Sequence, residues 1–142
     1  MLRRPDMWFW DSWPVVDGGD RHLFFLQAPR SLGDPDTRHV NAAIGHAVSA
    51  DWTNWTILPD ALTAAPSPAW DDLAIWTGSI VRDDAGRWRL FYSAISRKEN
   101  GRVQRIGHAA SDDLISWRRT SSTAGFSRRL TAPSRRPKPG AG

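Results

Sequence analysis

Along the first 119 residues, short strand-sized runs rich in apolar residues alternate with clusters of Gly, Pro, Asp and Asn. Strands are expected over about 8–16, 22–28, 40–49 and 55–58, and again over about 74–82, 88–95, 103–110 and 116–119. Asp17-Gly18-Gly19-Asp20 and Asp83-Asp84-Ala85-Gly86 fall at the same place in the two sets. Both suit tight hairpin turns, because glycine takes the positive φ that such turns demand. The best rival for a helix, residues 60–74, is broken by Pro66 and Pro68 and reads as a crossover between the sets.

The two sets are also one phrase written twice. Trp10-Asp11-Ser12-Trp13 and His22-Leu23-Phe24-Phe25 return as Trp76-Thr77-Gly78-Ser79 and Arg89-Leu90-Phe91-Tyr92, with Trp10 and Trp76 standing 66 residues apart. Gly45-His46-Ala47 up to Trp55 returns as Gly107-His108-Ala109 up to Trp117, with the histidines 62 apart. A repeat of this length is a stacked supersecondary unit, and four antiparallel strands per unit is the pattern of a β-propeller blade. The fold expected is all-β: a partial propeller domain over 1–119, with one blade at about 7–59 and a second at about 73–119.

Propellers have about four to eight blades, so two blades point to an incomplete ring and to association that would complete the missing ones. Marginal stability of the isolated chain is expected for the same reason. From Thr120 the chain becomes Ser-, Arg- and Pro-rich and is expected to form a disordered basic tail over 120–142. A frameshift or premature end would produce this tail; so would a true polyanion-binding segment.

Composition narrows the choice. Nine tryptophans among 142 residues favour an aromatic-lined cleft suited to carbohydrate, and the absence of cysteine excludes disulfides and thiolate metal sites. The formal charge of +4 belongs to the tail, since residues 121–142 carry five basic residues and no acid. The near-neutral remainder argues against nucleic acid as a partner of the folded part. No run approaches the length of a membrane helix, and no signal peptide follows Arg3-Arg4, so a cytoplasmic location and no membrane partner are expected. Neither a cofactor nor a metal is expected. The four histidines lack metal-ligand spacing, and Asp34-Asp36, Asp71-Asp72 and Asp83-Asp84 match no calcium loop.

The first strand of a blade lines the propeller channel, so Asp11 and Thr77 should sit on neighbouring channel strands at one depth. A carboxylate between Trp10 and Trp13 suits a polar ligand with apolar faces, such as a sugar ring; an Asp bonded to local backbone in a strand-end turn is the plainer alternative.

Trp10-Asp11-Ser12-Trp13-Pro14 resembles the nucleophile motif of levansucrases and related β-fructofuranosidases, glycoside hydrolase families 68 and 32. These are similar to family 43 and share a five-bladed β-propeller. Trp70-Asp71 followed by Trp76-Thr77-Gly78-Ser79 resembles their second motif, and the resemblance covers about residues 7–119.

The resemblance implies a retaining mechanism on sucrose or fructan. Asp11 would be the catalytic nucleophile, with Trp10, Trp13, Trp76, Thr77 and Asp71 binding the substrate. The family's later Arg-Asp-Pro motif and its acid/base Glu have no match, and the sole glutamate, Glu99, lies in a polar turn. The expectation is therefore a truncated glycosidase of the β-fructofuranosidase or levansucrase type, weak or inactive as this chain. A non-catalytic carbohydrate-binding or scaffold remnant is the first alternative, and a basic-tail polyanion binder the second.

Overall fold

The computed structural model describes residues 2–120. The tail from residue 121, with its expected disorder, lies outside the described residues. Eight strands form two four-stranded antiparallel sheets, each in simple up-and-down order, as in propeller blades. The first holds β1 (Met7–Asp17), β2 (Asp20–Pro29), β3 (Ala43–Ser49) and β4 (Thr56–Leu62). The second holds β5 (Ala74–Arg82), β6 (Trp88–Ile95), β7 (Gln104–Ser111) and β8 (Arg118–Arg119).

The turns follow from the residues expected to make them. Asp17 pairs with Asp20 across a two-residue loop in which Gly18 has φ 57°. In the second sheet the Asp83 carboxylate accepts from Arg87 N and Arg89 Nε while Gly86, at φ 79°, closes the turn. The repeated Ser-x-Asp phrase is a corner built the same way twice. Asp51 accepts from Thr53 N and Asn54 N, and Asp113 accepts from Ile115 N and Ser116 N. Trp55 and Trp117 each donate the indole N–H to the carbonyl three residues earlier.

Two strand boundaries differ from expectation by three residues or more, and the last strand, expected over 116–119, is only Arg118–Arg119. Residues 40–41 close a 3₁₀ segment, Pro35–Asn41, rather than opening β3. Pro35 suits the first position of a helical turn, and the Asp34 side chain caps it by accepting from Asp36 N at 2.9 Å. At the other end β4 runs on to Leu62, because Ala61 and Leu62 are buried and Leu62 pairs with Ile44. The crossover therefore starts after residue 62; it contains no helix.

Pairing register assigns the faces, since residues directly opposite on neighbouring strands share one. Trp13, Phe24, His46 and Leu58 lie on one face of the first sheet, with Val15, His22 and Leu26 beside them. That face meets the Ile75, Trp88, Leu90 and Tyr92 side of the second sheet, and together they form the main core. Full burial of a side chain such as Phe24 contributes about 1.5–3 kcal/mol. The seam is also stitched by backbone, with Ile75 N donating to the Ala42 carbonyl at 3.1 Å.

Candidate active site

Asp11 is placed by a defect in a strand. Trp10 pairs with Leu26 and Ser12 with Phe25, so Asp11 is the extra residue of a β-bulge, with φ 39°. Positive φ is uncommon for residues other than glycine, though aspartate tolerates it better than most. A bulge re-aims a side chain that regular pleating would lay along the sheet face. β5 carries the matching irregularity between Ile75 and Gly78, at Trp76 and Thr77. Two equivalent bulges thus turn Asp11 and Thr77 toward each other, and Thr77 Oγ1 donates to Asp11 Oδ2 at 2.6 Å. That bond occupies one carboxylate oxygen and leaves Oδ1 without a protein partner among the hydrogen bonds of the described residues.

Asp11 stands between two open cavities. One, of about 480 Å³, is walled by Trp10, Trp76, Thr77, His39, Ser93, Gln104 and Leu26. The other, of about 550 Å³, runs over the outward face of the first sheet past Phe9, Phe25, Trp52 and Trp55. Among the described residues Asp11 is the single acid lining either cavity.

The structure brings Asp11, Thr77, Trp10 and Trp76 together as expected from the repeat, but not Trp13 or Asp71. Trp13 turns from the groove into the seam, stacked on Phe24 at 6.4 Å, and its indole nitrogen is buried without a partner. Asp71 is 1% exposed and holds the crossover in place, accepting from Arg119 Nε at 2.7 Å and Tyr92 Oη at 3.0 Å. Burial first, and the Asp71 charge second, push the Tyr92 phenol above its ordinary range. A carboxylate so enclosed is not free to take a sugar hydroxyl, which corrects its assignment to the substrate pocket.

Asp72 and Glu99 are held by partners of their own. Asp72 accepts from Arg97 N, Ser67 Oγ and Ala69 N, and these bonds hold its carboxyl below the usual range. Glu99 is clasped by both nitrogens of Arg105 and by Ser96, which lowers it to about 2. It is a surface ion pair, as its turn context suggests. No group of three or more metal-ligating side chains occurs among the described residues. No helix among them is long and apolar enough to cross a membrane.

Sequence reasoning missed the 3₁₀ segment as a wall of the site. Trp76 Nε1 donates to the His39 carbonyl at 2.7 Å, the His39 ring meets Trp10 edge-on at 5.8 Å, and Arg38 lies over Trp10 at 5.5 Å. Asp34-Pro35 signals a turn start, but nothing local says where that turn packs.

Known proteins resemble the chain in sequence and in fold. The family model for the glycosyl hydrolases family 32 N-terminal domain matches residues 12–122. "Beta-fructofuranosidase 1" of Zea mays is 32% identical over 114 residues, covering 78% of this chain and 16% of that protein. "6(G)-fructosyltransferase" of Asparagus officinalis is 34% identical over 110 residues, covering 75% of this chain and 17% of that protein. Among solved structures, fructan 1-exohydrolase IIa from Cichorium intybus superposes with a TM-score of 0.67 at 22% identity, covering 87% of this chain and 22% of that one. The chain spans less than a fifth of the length of those two curated relatives.

Proposed function

The chain belongs to glycosyl hydrolase family 32 through its N-terminal domain, and from that premise we propose that it supplies the nucleophile side of a retaining fructosyl-transferring site. Asp11 is the nucleophile, Thr77 fixes its carboxylate, and Trp10 and Trp76 form the walls against which the sugar packs. The observation that carries this reading is the 2.6 Å bond from Thr77 to Asp11, made across two sheets inside an aromatic groove. A carboxylate needed only as a strand-end cap would bond its own backbone instead.

Retention needs two carboxyl groups about 5–5.5 Å apart. One attacks the anomeric carbon; the other protonates the leaving oxygen and then activates water. Asp11 is the only acid at the groove among the described residues. Turnover of sucrose or fructan by this chain alone is therefore weak or absent, because a missing general acid costs about 10²–10⁴-fold.

A donor whose leaving group needs no proton separates attack from protonation. With fructosyl fluoride, an Asp11 oxygen attacks the anomeric carbon, the carbon–fluorine bond breaks, and fluoride leaves with the electron pair. The expected product is a fructosyl ester on the peptide containing Asp11, seen by mass spectrometry in the wild type and missing from Asp11→Asn. Absence of the adduct in the wild type would sink the nucleophile assignment. The aromatic walls favour a second reading, a carbohydrate-binding remnant without chemistry. Equal sugar binding by wild type and Asp11→Asn, with no adduct in either, selects it.

A further inference from the structure

We propose that copies of this chain associate head to tail, the outward face of the second sheet of one copy docking on the outward face of the first sheet of the next. The junction inside the chain is the template. There Phe24 lies flat on His46, with centroids 4.3 Å apart and planes at 12°, and its edge meets Trp117 of the other sheet at 6.0 Å and 82°. The repeat places an equivalent pair, Phe91 and His108, on the second sheet, stacked at 5.6 Å and 22°. Thr120 Oγ1 meets the His108 ring at 2.8 Å, and the Phe91 ring beside it stays open. Phe91 is 41% exposed, and register puts exposed Val81 and Ile106 on its face.

The receiving surface is repeated too. Inside the chain, Phe24 is received by the face of the second sheet bearing Leu90, Tyr92 and Trp117. Their equivalents Leu23, Phe25 and Trp55 line the open cavity of about 550 Å³ on the first sheet. One chain therefore carries both halves of a contact that it already makes once internally, and a second copy supplies the complement of each half. Phe91 of one copy seats beside Trp55 of the next, as Phe24 seats beside Trp117. The contact is heterologous, so it closes into rings or runs on. Two or three copies carry four or six of the described sheets, within the range of about four to eight blades that close. The docked copy also walls the cavity beside Asp11.

The outward face is the less apolar version, with Ser79, Arg89 and Ser93 where the buried face has Trp13, His22 and Leu26. The expected affinity is accordingly modest, on the order of micromolar.

Sedimentation equilibrium of the 142-residue chain across that concentration range tests the proposal. The wild type should shift from monomer to dimer or trimer, while Phe91→Arg, Ile106→Arg and Trp55→Arg should each remain monomeric. Mixing Phe91→Arg with Trp55→Arg leaves one intact junction, so a heterodimer with one copy of each should form. Its formation also shows that both variants are folded. A wild type that stays monomeric overturns the proposal. Self-association of Trp55→Arg alone overturns it as well, because that result requires a like-to-like contact. None of these outcomes depends on the chemistry of Asp11.

Discussion

Phe24 with His46 and Phe91 with His108 are the same pair in sequence, register and stacking, yet one is sealed and the other open. Phe24 is 0% exposed and Phe91 41%. The difference lies in what packs on top: Trp117 and the second sheet cover the first pair, whereas the second meets, among the described residues, only the Thr120 hydroxyl, at His108. Equivalent side chains therefore carry unequal shares of the stability. A repeat, even a faithful one, does not specify its own environment.

The sharpest way to break the comparison is to remove both rings. Phe24→Ala should cost about 3–5 kcal/mol, the usual range for a buried Phe. Phe91→Ala should cost less than about 1 kcal/mol when measured below the concentration of self-association. Urea denaturation of the two variants gives both values, and equal losses would mean that Phe91 is covered.

The histidines extend the comparison to pH. His22 Nδ1 and His46 Nε2 are 2.8 Å apart, and His46 Nδ1 is buried with no partner. The less costly arrangement has His46 Nε2–H donating to His22, so that the unpartnered Nδ1 bears a lone pair rather than a hydrogen. Burial chiefly, and His22 next, lower His46 from its ordinary 6.5 to about 4, against a small opposing pull from Asp113. The unfolded chain then takes up the proton first. The contribution of His46 is whole above about pH 6.5 and is lost as pH falls toward 4. The loss is on the order of 3 kcal/mol. Denaturation midpoints at pH 7 and 4.5 should show it, and His46→Gln should flatten the slope.

The bulges sharpen the comparison at the site. Replacing Thr77 by Val removes a hydrogen bond to a charged group, worth about 1.5–3 kcal/mol. Fructosyl-ester formation should slow by about tenfold to a hundredfold, with Thr77→Ser restoring most of it. An unchanged rate would make the Thr77 contact incidental. The neighbouring position separates the sheets again. Ser12 stands in the first where Gly78 stands in the second, and a Cβ on Gly78 would strike the Phe91 carbonyl oxygen. Backbone cannot swing aside, so Gly78→Ala should cost about 1–3 kcal/mol in a thermal melt. Ser12→Ala should cost less than about 0.5 kcal/mol.

The legible parts of the site were those tied to the repeat. Asp11 and Thr77 occupy one repeat position on adjacent sheets, so their approach could be read from numbering alone. Asp71 was misplaced because adjacency to Trp76 in sequence says nothing about Arg119, 48 residues away, whose guanidinium captures it. Trp13 looked like a pocket wall, but strand alternation sends it to the opposite side from Ser12, into the seam. His39 was invisible as a wall because its segment reaches the site through a bond from Trp76, 37 residues away, to a backbone carbonyl that has no sequence signal.

By itself the sequence determined the strand-sized runs, the glycine turns, the two aspartate corners and the number of repeated units. All of these follow from interactions within a few residues: φ preferences, side-chain to backbone bonds and the alternation of a pleated strand. The sequence also marks the Phe–His pair to be buried, with Trp13, His22 and Leu26 around Phe24 against Ser79, Arg89 and Ser93 around Phe91. Tertiary structure alone decided which carboxylate is enclosed and which faces the groove. Those outcomes depend on desolvation and on partners tens of residues away. Two equivalent Phe–His pairs acquire different energies once a second sheet covers only one of them.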